Sequence, residues 1–193
     1  MIIVKTVPAL IYDAITDENV NDIDSLFLQN PEMLNIHTFM GGQTWLGYAA
    51  EDGKLVSVKK LIAMGADKNI GDEIYGSKPI CSACSNGHAE VARYLTEQGS
   101  EVDVEASVRN PLFAAIVGRS PDCVRIILET GIDVTVRYNS DTMNDMDAVA
   151  FALMRGEAEC AEIIARWHVN GDETLAKQAL IEAHEIAVRN VHA

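Results

Sequence analysis

The sequence predicts an all-α solenoid of about five helix-turn-helix units closed by a C-terminal capping helix. Three observations predict it. A short phrase recurs, beginning at Thr44, Lys78, Asn110 and Asp147, at intervals of 34, 32 and 37 residues, and self-similarity at this period marks stacked repeats. After each phrase comes a stretch in which apolar residues recur at helical spacing with charges between them. Glycines at 65, 99 and 131 then close three of the four units, where a left-handed cap is easiest for glycine.

The elements follow in order. Leu10 to Ile15 and Val20 to Leu28 read as a degenerate first helix pair, with Ala14 standing 35 positions before Ala49. In the four units that follow, Pro79 and Pro111 suit a first helical turn, where the missing N–H costs nothing. Ala49, Ala83, Ala115 and Ala152 are small enough to let a neighbouring helix approach. The second helices run from Leu55, Ala89, Asp122 and Glu159. Asp172 and Glu173 open a last helix that ends near Arg189, matching the helix dipole. One continuous domain is expected, with residues 1–40 as the degenerate unit, 41–167 as four repeats and 168–193 as the cap.

With 48% hydrophobic residues and a mean hydropathy of +0.05 the chain can bury a core. Its 29 acids and 15 bases leave a formal charge of −14, which repels phosphate backbones and anionic lipid. Nucleic acid and membrane are therefore disfavoured, and basic proteins are attracted. The start, from Met1 to Pro8, carries Lys5 inside its apolar run and lacks the order of a secretory signal. A cytoplasmic home is expected.

Gly65-Ala66-Asp67-Lys68-Asn69 and Asn86-Gly87-His88-Ala89-Glu90-Val91 resemble the consensus of the ankyrin repeat, whose unit is a helix pair followed by a projecting hairpin loop. The resemblance covers roughly residues 41 to 167. It departs at Arg119, where the family prefers glycine, at Gly47, Cys81, Phe113 and Ala150, where the family carries a histidine, and at Asp147-Ala148, which replaces Thr-Pro. The resemblance implies a protein-binding surface.

The loops should carry that surface. Residues 66–77, 99–109 and 131–147 hold ten acids against three bases, which predicts an acidic ridge. Asp72, Glu73, Glu105, Asp141 and Asp145 belong to it, with Arg109 beside them, and Glu51 and Asp52 lie at the end of a first helix. Trp45, Tyr48, Tyr75, Tyr138 and Met154 are the candidate anchors, since aromatic and flexible apolar groups within a polar rim suit a protein interface. A second reading stays open, in which Trp45 and Met146 only cover helix ends. The loop from Val134 to Met146 is the longest and holds the insertion behind the 37-residue spacing.

Chemistry is not expected. Cys81 and Cys84 lack a second pair and sit in the packing phrase, so neither zinc nor redox work is predicted; the histidines, His88 and His192 among them, have no metal-ligand spacing. Paired acids such as Glu51-Asp52 face solvent and not each other across a substrate. No enzyme, cofactor or metal is expected. The expected partner is a basic protein held by a chain that is monomeric when free. Small size and acidity resemble the ankyrin-type immunity proteins that block bacterial toxins; a scaffold subunit and a secreted effector that binds a host protein are the alternatives.

Overall fold

The computed structural model describes residues 5–39 and 41–191. The apolar start from Met1 to Val4 and His192, on which expectations were placed above, lie outside the described residues.

Eleven α-helices form the described chain: α1 (Val7–Thr16), α2 (Val20–Gln29), α3 (Trp45–Glu51), α4 (Leu55–Ala63), α5 (Pro79–Ser85), α6 (Ala89–Glu97), α7 (Pro111–Val117), α8 (Pro121–Glu129), α9 (Ala148–Met154), α10 (Ala158–His168) and α11 (Glu173–Val191). They pair consecutively and stack in two layers. The odd-numbered helices from α1 to α9 pack in one row, the even-numbered from α2 to α10 in another, and α11 lies against α9 and α10. The core runs between the rows and is built from Ile11, Ile15, Leu46, Leu61, Ile80, Leu95, Leu112, Ile127 and Ile164, all fully buried, with the four alanines at the close approaches.

Local chemistry starts the helices. Thr44 Oγ1 accepts from Gly47 N at 3.1 Å, Ser120 Oγ from Cys123 N at 3.2 Å, and Asp147 Oδ1 from Ala150 N at 2.9 Å; each satisfies an N–H that the helix leaves unpaired. Asp147 thus supplies the cap that the missing threonine would have made. One turn then joins each helix pair. The carbonyls of Ala14, Ala49, Ala83, Ala115 and Ala152 accept from the amides of Asn19, Lys54, His88, Ser120 and Glu157, all at 2.8 to 3.1 Å. The residue before each donor is left-handed: Glu18, Gly53, Gly87, Arg119 and Gly156, with φ from +52° to +77°. This is a Schellman closure repeated five times. Arg119 adopts it without being glycine and places its Nε 3.1 Å from Glu157 Oε1.

The insertion folds into a small antiparallel hairpin, β1 (Tyr138–Ser140) and β2 (Met143–Met146), which an all-α expectation did not contain. The extra residues give the loop enough length to pair with itself. Asn190 of α11 holds its far side, with Oδ1 accepting from Asn144 N at 2.6 Å and Nδ2 donating to Asn144 O at 3.0 Å. An amide that offers both partners of a backbone occupies an edge that would otherwise be open. Among the described residues no helix is long and apolar enough to cross a membrane.

Candidate binding groove

On one side of the stack the odd-numbered helices from α3 to α9 and the loops at residues 66–77, 99–109 and 131–147 face a common gap. Between them lies a cavity of about 550 Å³. Its floor is Phe113, Ala114, Val117 and Phe151 from α7 and α9, with Cys81, Ser82 and Ser85 from α5. Tyr75, Val108 and Met143 stand on the loop side, and Glu51 and Asp72 close the end nearest α3. Tyr75 and Val108 are more than half exposed. No lysine or arginine is among the lining residues. Phe113 stacks on Phe151 at 4.7 Å between centroids, and both rings are buried, so they stiffen the floor from beneath while Val117 is its more exposed apolar residue.

The structure separates the expected site residues into three groups. Glu51, Asp72 and Tyr75 line the groove. Met154, half-buried, occupies on α9 the position that Glu51 holds on α3, each two residues after its unit's close-approach alanine, Ala152 and Ala49.

Trp45 and Tyr138 are corrections. Trp45 is 1% exposed and fills the start of α3, so it offers a partner no surface. Tyr138 is 8% exposed; its hydroxyl donates to Val104 O at 2.8 Å and accepts from Asn110 Nδ2 at 3.0 Å, while its ring meets Phe113 edge-on at 5.0 Å. It ties the hairpin to the preceding loop. Met146 is fully buried, as the helix-covering reading had it. Tyr48 is half-buried, its hydroxyl 3.1 Å from Thr16 Oγ1 and its ring 5.1 Å from Tyr12. Burial pushes its phenol up to about 12.

The loop acids turn out to be occupied mostly by their own loops. Asp67, Asp103 and Asp133 each accept from the amide two residues on, at 2.8 Å. Two hydrogen bonds from Thr135 hold the Asp133 carboxyl below its ordinary range. Asp72 accepts from Ile74, Tyr75 and Ser77 and so builds the tip that displays Tyr75. Glu105 and Asp145 pair with Arg109 and Arg137, Asp52 with Lys54, and Glu73 faces His37 at 3.6 Å. Arg109 is thereby a strut between Asp103 and Glu105. Glu51 and Asp141 are the nominated acids whose side chains have no partner among the described residues. Successive loops are also pinned together: Asn35 Oδ1 accepts from Asp67 N and Asn69 Oδ1 from Glu101 N, at 2.8 and 3.0 Å.

Sequence reasoning missed Ser82, Val108, Val117 and Phe151 as lining residues. A signal existed, because aligning the units on their alanines puts Glu51, Ser85, Val117 and Met154 in one row along the stack. All four cysteines are buried and free. Burial pushes the Cys81 thiol up to about 12 and Cys160 up to about 11. A thiol so held is a poor nucleophile. Among the described residues no cluster of histidine, cysteine or carboxylate could hold a metal ion. His88 Nε2 donates to Glu51 O at 2.9 Å, linking two units.

A family model for ankyrin repeats in three copies matches residues 46–138. An ankyrin repeat-containing protein of Schizosaccharomyces pombe is 30% identical over 118 residues, covering 60% of this chain and 52% of that protein. A putative ankyrin repeat protein of Rickettsia felis is 32% identical over 90 residues, 46% of this chain and 38% of the other. An ankyrin repeat and KH domain-containing protein of Caenorhabditis elegans is 25% identical over 167 residues, 70% of this chain but 6% of that protein. The chain therefore spans about half the length of the yeast relative and less of the other two.

Proposed function

We propose, from the premise that this chain belongs to the ankyrin-repeat family, that it captures a basic protein on the face that carries this groove and blocks that protein by covering it. The repeats make the chain a protein-binding module. The observation that carries the finer reading is the groove itself, with exposed apolar groups at Tyr75 and Val108, a Glu51 carboxylate without a partner among the described residues at one end, and no basic side chain among the residues that line it. Apolar anchors supply the binding energy and the surrounding negative field, part of a chain charge of −14, supplies speed and choice of partner. Inhibition of a toxin, the role of an immunity protein, is the specific form of the proposal.

Co-expression of the chain with a candidate basic toxin tests it. Growth should be rescued, and the triple charge reversal Glu51→Lys, Glu73→Lys, Asp141→Lys should abolish the rescue while leaving the helical circular dichroism intact. The association rate should fall as salt rises toward 1 M, where the screening length shrinks to about 3 Å. Rescue that survives the reversal, or an association rate indifferent to salt, would refute the electrostatic capture.

A further inference from the structure

The groove changes character along the stack. Near α3 and α5 it is polar, with Glu51, Ser82 and Ser85; near α7 and α9 the positions matching Glu51 and Ser85 are Val117 and Met154, and those matching Ser82 are Ala114 and Phe151. The Glu51 carboxylate has no partner among the described residues. At the opposite end the Arg155 guanidinium lies over the Phe151 ring, 5.7 Å from its centroid, and also has no carboxylate partner among the described residues. One end therefore favours a cation and the other repels it.

The lining also distinguishes an extended chain from a helix. The side-chain hydroxyls of Ser82 and Ser107 are without partners among the described residues. A helix arrives with its backbone already paired, whereas an extended chain brings free N–H and C=O groups that need such hydroxyls. From α3 to α9 the groove crosses three inter-helix steps of about 8–10 Å each. An extended chain rising about 3.3 Å per residue covers that distance in seven to nine residues.

We infer that the groove takes an extended segment of about nine residues from the partner, with a lysine or arginine at the Glu51 end and apolar side chains against the exposed Val117 and Val108. This rests on the groove face being the binding surface, and it adds the chemistry and the polarity of what lies there. Charge complementarity sets the orientation, because reversing the segment would leave its base against Arg155 and its apolar groups against Glu51, Ser82 and Ser85.

A displayed library of random nonapeptides tests the inference when panned against the wild-type chain and counter-screened against Val117→Asp. Val117 is 42% exposed, so that substitution changes the groove at its surface, and a thermal melt checks that the fold is kept. The expected binders lose affinity for Val117→Asp and carry a base at one end and apolar residues toward the other. A fluorescein-labelled consensus peptide should bind Glu51→Lys at least tenfold more weakly, and changing the peptide's base to glutamate should restore binding to that variant. Binders that depend on Val117 but show no charge polarity, or that ignore Glu51→Lys, overturn the inference and leave the face as a binding surface. Binders indifferent to Val117→Asp, or a library yielding none that depend on it, overturn both.

Discussion

Gly53→Ala tests whether the turn glycine serves the backbone alone or also the next unit. Gly53 has φ +67°, and a Cβ built there would lie 2.5 Å from His88 Nδ1 and 2.9 Å from its Cγ. Left-handed backbone costs a non-glycine residue about 1–2 kcal/mol, offset by about 0.4–1 kcal/mol because alanine has less freedom to lose on folding. About 1 kcal/mol is left. Displacing the His88 ring also breaks its 2.9 Å bond to Glu51 O, a further loss of about 1–2 kcal/mol. Gly53→Ala should thus cost about 2–3 kcal/mol in the wild-type background and only about 1 kcal/mol when His88→Ala has already removed the ring. Urea unfolding followed by circular dichroism on the four proteins of this cycle gives the coupling directly. Equal costs in the two backgrounds would show that the ring does not press on Gly53 and that the His88 link between units is wrong.

Trp45→Ala should lower unfolding free energy by about 3–5 kcal/mol, as expected for a fully covered indole; a thermal melt close to wild type would put Trp45 back on the surface. Stability should also fall at alkaline pH. Tyr48 has its pKa raised from 10.0 to about 12, and Cys81 and Cys160 theirs from 9.0 to about 12 and about 11. The unfolded chain therefore loses these protons first, so the stabilisation is whole below about pH 9 and declines as pH rises to about 12. Tyr48→Phe should flatten the part of that decline above pH 10 in a pH series of urea midpoints. An unchanged profile would mean that the phenol is not held neutral by burial.

The turns and helix starts were legible because their determinants are close in the chain. Gly65, Gly99 and Gly131, the prolines of the first turns and the close-approach alanines all act within a few residues of where they stand, and each recurs at the repeat period. Arg119 was visible as a departure, and the structure shows it meeting the same left-handed geometry that glycine meets elsewhere. The loop acids were legible as charge but not as hydrogen-bond acceptors. Whether Asp72 faces a partner or folds back on the amides of Ile74, Tyr75 and Ser77 depends on the loop's path.

By itself the sequence determined the helix pairs, their order and period, and the excess of negative charge, since these follow from local preference and composition. Only the tertiary structure decided which residues a partner can touch. Trp45 and Tyr138 are covered because neighbouring elements close over them, with Val104 and Asn110 reaching the Tyr138 hydroxyl from 34 and 28 positions away. Val117 and Phe151 come to face Tyr75 and Val108 because the stack places successive helices and loops side by side. Exposure is a property of what lies across the gap, and contacts between distant parts of the chain determine it.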